Sequence, residues 1–209
     1  MIKKHFKILS IFLSFMLCFS AFPVMASEQD EPAEAAYGEA ITITMPVHYR
    51  QSDSRWASDI MLSCGDTIGQ SGCAITSFAM IVNFYGSTDD PGDVNTRLGN
   101  NACPIQYSTA GSLYGLTTQT LCYNDSTISK DSAINLMKPH IFQNRPILVG
   151  MKKGSSTHFV VATGYVDMQE LGTSDPYIPI LDPSTYYNKT SLNQYYADGW
   201  AVHRLYVYY

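Results

Sequence analysis

The stretch GQSGCAITSFAMIVNFYG, residues 69–86, places a cysteine at the start of an apolar segment. Residues 73–85 carry almost no charge and Gly86 follows them, so the stretch predicts a helix that is buried on nearly all sides. A thiol attacks as a thiolate, and a helix N-terminus lowers the pKa of a cysteine placed there. Ser71-Gly72, directly before it, lets backbone or substrate come close. Cys73 is therefore either a nucleophile or half of a disulfide.

The beginning of the chain has the pattern of an export signal. Three lysines open it, an apolar run follows, and residues 24–26 are suited to a signal peptidase. We expect a signal peptide over residues 1–26, an acidic disordered leader over 27–40, and one domain over 41–209. No later segment is apolar enough to span a bilayer, so no stable membrane anchor is expected after cleavage. The expected location is extracellular, either secreted or associated with the cell wall.

Charge and cysteine content exclude several classes of function. The formal net charge is −5, which argues against a nucleic-acid partner, since phosphate binding needs clustered Lys and Arg. The sequence has neither a C-x-x-C pair nor histidines at metal-ligand spacing, so we expect no metal and no cofactor. Four cysteines follow the signal, and an even set in an exported protein favours disulfides. They are Cys64, Cys73, Cys103 and Cys122.

Helices dominate the predicted first half of the domain. Residues 41–47 alternate as a strand does, and then helices are expected. One helix lies between the cap Asp90 and Gly99, and another runs from about 130 to 143 after Ser129. Pro139 should kink or shorten the latter helix. Residues 100–128 are rich in Asn, Ser, Thr and Gly and predict a loop.

The second half is predicted to be a sheet. Its apolar, β-branched runs are separated by turn residues, which is typical of consecutive strands. The predicted strands are 146–152, 158–166, 177–182 and 201–208. Helices first and an antiparallel sheet second indicate an α+β fold, with the buried Cys73 helix packed on the sheet.

A histidine and an aspartate are the candidate partners of Cys73. His158 opens an apolar strand, so its ring is expected at the sheet edge near solvent, as a general base requires. Asp182 ends the next run and could accept the His158 Nδ1–H. Asp175 precedes a proline in the same way, but we prefer Asp182 because a strand delivers it. The remaining histidines after the signal, His48, His140 and His203, lack such a setting.

Four blocks of this chain resemble one family. QSDSRWA, TIGQSGCAITSFAMIVNFYG, RPILVGMKKGSSTHFVVATGY and ILDPS are similar to blocks of the bacteriocin-processing (double-glycine-type) peptidases, in their stand-alone exported branch. The resemblance covers most of residues 46–184. It implies a papain-like fold with Cys73 as nucleophile, His158 as base and Asp182 as the group that orients the base.

The resemblance also implies a glutamine that donates to the oxyanion. Relatives linked to transporters carry it about six residues before the cysteine, where this chain has Thr67. Gln51 matches the glutamine of the stand-alone relatives and is preferred, with Gln70 as the second candidate. Ala74-Ile75 replaces the Gly-Pro that many relatives have. Since no ATP-binding or transmembrane domain follows, we do not expect the family's leader-clipping role to transfer.

The leading hypothesis is a secreted cysteine peptidase acting on a peptide or protein. One alternative is an amidase or transpeptidase of cell-wall peptides with the same triad. Another is a non-catalytic binding or adhesion module, because tyrosines that could bind glycans or peptides crowd the C-terminal third; half-buried strands explain these tyrosines better. These are Tyr177, Tyr186, Tyr187, Tyr195, Tyr196, Tyr206, Tyr208 and Tyr209. The pairing of Cys64, Cys103 and Cys122 and the oligomeric state stay open.

Overall fold

Two sheets form the framework of the part of the chain that the computed structural model describes, residues 40–123, 126–168 and 175–209. The strands are β1 (Ala40–Thr42), β2 (Thr118–Tyr123), β3 (Ile147–Lys153), β4 (Ser156–Ala162), β5 (Gly164–Val166), β6 (Ile180–Leu181) and β7 (Ala201–Tyr208). Five of them form an antiparallel sheet in the order β2-β7-β3-β4-β6, and β1 pairs with β5. The predicted signal peptide and nearly all of the leader lie outside the described residues.

Helices cover the sheet on both sides. They are α1 (Ile68–Ser71), α2 (Cys73–Phe84), α3 (Pro91–Leu98), α4 (Tyr107–Leu113), α5 (Lys130–Phe142) and α6 (Leu192–Ala197). Among the described residues, none of the helices is long and apolar enough to cross a bilayer. The architecture is the predicted mixture of helices and an antiparallel sheet.

The central strands bury both of their faces. In β3, Ile147 and Val149 pack into the core that contains α5, while Leu148 between them packs into the core that contains α2. Val160 and Val161 of β4 divide in the same way. Successive side chains of a strand point to opposite faces, so a strand without polar interruption needs a layer on each side. This requirement explains why α2 and α5 lie on opposite faces of one sheet.

Helix α2 is held tightly where it begins. A Cβ on Gly72 would lie 2.4 Å from the carbonyl oxygen of Ile68, so no larger residue fits directly before Cys73. Every residue from 75 to 82 is buried, as the apolar pattern predicts. One turn into the helix, the Ser77 hydroxyl donates to the carbonyl of Phe159, at 3.2 Å. The helix that carries the thiol is thereby fixed to the strand that carries His158.

Several predicted elements have the expected bounds. Asp90 caps α3 through its side chain, and Gly99 follows the last residue of that helix. Ser129 caps α5 and β7 spans 201–208 as predicted. Pro139 lies inside α5, which continues to Phe142, so the predicted end is confirmed and Pro139 does not shorten the helix.

Two predictions about the first half are wrong. The first strand is only three residues long, because Ile43 and the residues after it leave the pairing with β5. Residues 100–128 contain α4 and β2 in addition to loops. Strand β2, with the sequence TQTLCY, is too polar to be predicted from its own pattern. It forms because its backbone pairs with the apolar strand β7. The sheet therefore includes a strand from the half that was predicted to be helical.

Candidate active site

Cys73 has a free thiol in the structure. It is the first residue of α2 and is half-buried. The disulfide is formed instead by Cys64 and Cys103, which are 39 residues apart in sequence. Cys122, on β2, is the other free cysteine among the described residues. Of the two roles considered for Cys73, the structure therefore excludes the disulfide.

His158 is buried within the sheet, and the prediction of a ring near solvent is wrong. It is the third residue of β4 and only 3% exposed. Rings of Tyr187, Tyr195 and Trp200 surround the imidazole, with centroids 5.0, 5.7 and 6.4 Å away. The remaining side of the ring forms a hydrogen bond with the Cys73 side chain. Aromatic packing therefore leaves the imidazole few positions other than one that faces the thiol.

Asp182 is fully buried and holds the far side of the imidazole. It follows β6 directly, and its Oδ1 lies 2.9 Å from His158 Nε2. The backbone N–H of Ser184 donates to the same oxygen, at 2.9 Å. The other oxygen, Oδ2, accepts from the Tyr195 hydroxyl at 2.6 Å and from the N–H of Lys189 at 3.1 Å. The contact uses Nε2, so the expectation that Nδ1 faces the carboxylate is wrong, and Nδ1 is the nitrogen left for Cys73.

The three groups shift one another's ionisation. Burial by itself would lower the pKa of His158, but hydrogen bonds to Asp182 and Cys73 outweigh it and raise this pKa to about 9. Burial opposes ionisation of Asp182 as well, yet hydrogen bonds from His158 and Tyr195 lower the pKa of this carboxyl. Burial and the hydrogen bond to Asp182 raise the pKa of the Tyr195 hydroxyl, so it stays a donor. The arrangement favours an imidazolium between two acceptors.

The loop after Asp182 is fixed by side chains from the segment before α1. Arg50 Nη1 donates to the carbonyls of Asp182 and Ser184, at 2.8 and 3.0 Å. His48 Nε2 lies 2.9 Å from the Asp182 carbonyl, and burial lowers the pKa of its ring. Arg50 also bonds Asn188 Oδ1 through Nη2, at 3.1 Å. The backbone around the carboxylate is therefore held independently of His158.

Gln51 lies next to the start of the nucleophile helix. Its Nε2 donates to the carbonyl of Gly69 at 3.0 Å, and its own N–H donates to Pro183 at 2.9 Å. Its Oε1 is buried without a hydrogen-bond partner. The Trp56 indole, 1% exposed, donates to the carbonyl of Arg50 at 2.8 Å and so braces the segment. Gln51 thus connects the start of the helices to the loop that carries Asp182.

The two competing candidates lie elsewhere. The Gln70 side chain accepts from the N–H of Thr67 at 3.0 Å and completes the capping box of α1. Asp175 forms an ion pair with Lys130, and its side chain is 56% exposed. The structure brings together Cys73, His158, Asp182 and Gln51, and it leaves these two residues outside that group.

Sequence reasoning missed several residues of this site. The sequence suggested that Tyr195 belongs to a half-buried strand, but it lies in α6. Among the eight tyrosines of the C-terminal third named above, only Tyr206 and Tyr208 lie within a strand of the main sheet. His48 and Arg50 were not predicted to contact the site. One signal was available: the two residues lie eight and six positions before Trp56, and polar side chains beside a buried ring are costly unless they form hydrogen bonds.

One family model matches most of this chain. Residues 47–202 match the Peptidase_C39 like family. A crystal structure of a Bacillus anthracis protein assigned to the C39-like peptidases superimposes with a TM-score of 0.45 at 12% identity, covering 82% of this chain and 98% of that one. The chain matches no functionally curated protein. The match of 156 residues spans every residue of the site described above.

Proposed function

This chain belongs to the Peptidase_C39 like family, and on that premise we propose that it is a secreted cysteine peptidase of papain-like fold. One observation carries the proposal: an unpaired cysteine at a helix start is hydrogen-bonded to a buried histidine, which a buried aspartate holds from behind. This is the geometry of a nucleophile, a base and an orienting group. Export is inferred from the pattern of residues 1–26, which lie outside the described part of the chain.

The first half of the reaction forms a thioester. The Cys73 thiolate, paired with the His158 imidazolium, attacks the carbonyl carbon of a peptide bond, and the π electrons move to the oxygen. His158 then gives its proton to the leaving nitrogen, the C–N bond breaks, and the amine departs. Asp182 keeps the imidazole in the orientation that both proton transfers need.

The second half releases the acyl group. His158 takes a proton from water, the hydroxide attacks the thioester carbon, and the C–S bond breaks to restore the thiolate. In both halves the negative oxygen needs preorganised donors. The N–H of Cys73 is one, because N–H groups in the first turn of a helix have no intrahelical acceptor. Gln51 is the other: an amide nitrogen has two hydrogens, and Gly69 uses one.

The proposal is tested by thiol labelling, for which the chain contains its own control. Iodoacetamide should label Cys73 at least about tenfold faster than Cys122, since burial raises the pKa of the Cys122 thiol. The rates are measured by mass spectrometry of digested protein. In His158→Ala the advantage of Cys73 should disappear. Equal labelling of the two cysteines in the wild type would contradict an activated thiol.

A second measurement distinguishes a peptidase from a binding module on the same fold. Incubation with a pool of unrelated synthetic peptides should generate new N-termini, detected by mass spectrometry. The Cys73→Ala variant should generate none, while Cys122→Ser should behave as the wild type. Fast labelling of Cys73 together with intact peptides would indicate that another amide, such as one in a cell-wall peptide, is the substrate.

A further inference from the structure

A pocket of about 550 Å³ adjoins the buried histidine. Tyr187 and Trp200 line it, and the rings of the same two residues pack against the His158 ring, with centroids 5.0 and 6.4 Å away. Tyr186, whose surface is 87% exposed, lines the same pocket. The pocket is therefore lined by aromatic rings, two of which also pack against the imidazole of His158.

The same pocket has an excess of positive charge. Lys153 and Lys189 line it together with Asp198. Lys189 forms an ion pair with the Asp198 carboxylate, and Lys153 Nζ donates to the Asp198 carbonyl at 2.6 Å. Two ammonium groups thus share one carboxylate, so the pocket lining has one positive charge in excess. A ligand that carries a carboxylate fits this wall better than one that carries an amine.

The chemistry decides which part of a substrate meets this pocket. A general acid must lie within hydrogen-bond reach of the atom it protonates, so the leaving nitrogen has to be next to His158. The residue attached to that nitrogen then continues past His158, toward the rings of Tyr187 and Trp200. The acyl part stays on the Cys73 carbonyl carbon and does not need this space.

We propose that this pocket selects the leaving part of the substrate, with an aromatic or large apolar side chain directly after the scissile bond and an acidic group next to it. The ring of that side chain packs on Tyr186, Tyr187 and Trp200, and the acidic group lies near Lys153. The inference rests on the proposed function and specifies its substrate class. It concerns a specificity pocket and assigns no further catalytic residue.

Acyl transfer tests the pocket without knowledge of the natural acyl half. N-acetylglycine p-nitrophenyl ester acylates the thiol and releases nitrophenolate, which leaves the pocket empty. An added dipeptide then competes with water: its amine attacks the thioester carbon, the C–N bond forms, the C–S bond breaks, and the amine proton passes to His158. The ratio of transfer product to hydrolysis product, measured by liquid chromatography with mass spectrometry, reports acceptor binding alone.

Four dipeptides form a matched set: Phe-Glu, Phe-Lys, Gly-Glu and Gly-Lys. With Phe in the first position, the ratio of transfer to hydrolysis should be about tenfold higher than with Gly, because the pocket buries the ring. With Glu in the second position, the ratio should be about threefold higher than with Lys, since an exposed charge pair has an effect of that size. The charge preference should vanish at about 1 M salt, where screening is short-ranged.

Variants assign the two preferences to residues. Tyr186→Ala should reduce the preference for Phe, and Lys153→Met should remove the preference for Glu. Tyr209→Ala and Lys138→Met, which change a tyrosine and a lysine outside the pocket lining, should leave every ratio unchanged. Because each ratio is taken within one enzyme, a change in acylation rate cancels.

The outcomes separate the two proposals. If no acyl adduct on Cys73 is found by intact mass, the peptidase proposal fails and this inference fails with it. If the adduct forms but all four dipeptides transfer equally, or if the pocket variants match their controls, only the pocket is wrong. A preference for Lys over Glu would also overturn it, because the charge would then be assigned with the wrong sign.

Discussion

Two Asp-Pro dipeptides of this chain have the same sequence and opposite surroundings. Asp182 is 0% exposed and accepts hydrogen bonds from an imidazole, a phenol and two backbone N–H groups. Asp175 has a 56% exposed side chain and pairs with Lys130. The difference arises from position in the fold, since β6 pairs with β4 and so brings Asp182 next to the strand that carries His158. A carboxylate acquires a role from the donors that surround it.

Two glutamines repeat this contrast near the helix start. Gln51 ties the start of the helices to the Asp182 loop and keeps a buried oxygen unpaired, whereas Gln70 is exposed and completes a capping box. Gln70 is three residues from Cys73 in sequence and Gln51 is 22 residues away. Nearness in sequence is therefore the wrong guide to the residue that shares the site with Cys73.

The largest expected effect separates the two aspartates. Asp182→Ala should lower peptidase activity about a thousandfold to ten-thousandfold, because an imidazole without its orienting group is mispositioned for proton transfer. Asp175→Ala should change activity by less than about twofold, since its ion pair with Lys130 and the hydrogen bond it accepts from Asn193 are made by an exposed side chain. The measurement is kcat/KM on one peptide with both variants.

A conservative variant guards this comparison against misfolding. Asp182→Ala also leaves several buried donors without an acceptor, which lowers the free energy of unfolding by about 3 to 5 kcal/mol. Asp182→Asn retains an acceptor oxygen and should restore part of the activity. Equal losses in the two alanine variants, with both proteins folded by circular dichroism, would remove the distinction between the dipeptides.

The next largest effect concerns the glutamines. Gln51→Ala should slow acylation about a hundredfold to a thousandfold, the usual loss for one oxyanion donor. Alkylation of Cys73 should be nearly unchanged, because it develops no oxyanion. Gln70→Ala should cost only about 1 kcal/mol of stability through the lost cap of α1. If Gln70→Ala is the variant with low activity, the oxyanion donor has been assigned to the wrong glutamine.

A pH dependence should distinguish the buried aspartate from the exposed one. The pKa of His158 is raised from 6.5 to about 9, so the ion pair with Asp182 stabilises the fold fully below pH 6.5 and ceases to do so as pH rises through about 9. The stability advantage of the wild type over Asp182→Asn, from urea unfolding between pH 6 and 10, should shrink across that range. Asp175→Asn leaves the pair of His158 and Asp182 in place and should keep the pH dependence of the wild type. An advantage that grows with pH would contradict the assigned charge state.

The smallest expected effect tests the second oxygen of Asp182. Tyr195→Phe removes the hydroxyl that donates to Oδ2 and should destabilise the protein by about 1 to 2 kcal/mol. Activity should fall several-fold, because the carboxylate remains held by the backbone donors at 184 and 189. Tyr196→Phe, at the neighbouring position, removes a hydroxyl that does not bond Asp182 and serves as the control. Identical behaviour of the two variants would show that the phenol contact contributes nothing to the site.

The sequence pattern predicted the elements that have a long apolar run or a cap formed by a neighbouring residue. The uncharged, largely apolar segment after Cys73 predicts a buried helix. The apolar runs of β3, β4 and β7 have clear patterns, since a strand buried on both faces has no polar alternation. Capping residues such as Asp90 and Ser129 marked helix starts, because a side chain that bonds its own backbone acts within four residues. Strand β2 escaped prediction because its partner, β7, lies some 80 residues later and supplies most of its stability.

The sequence by itself determined the α+β class, the buried helix behind Cys73, and His158 and Asp182 as candidates, because these depend on composition and short-range pattern. Only the tertiary structure decided that Cys64 pairs with Cys103 and that Nε2 of a buried His158 faces Asp182. It also decided that Arg50 holds the backbone carbonyl of Asp182 and Tyr195 its carboxylate. Those contacts join residues far apart along the chain, and a disulfide or a hydrogen bond requires a distance and an angle that only packing sets.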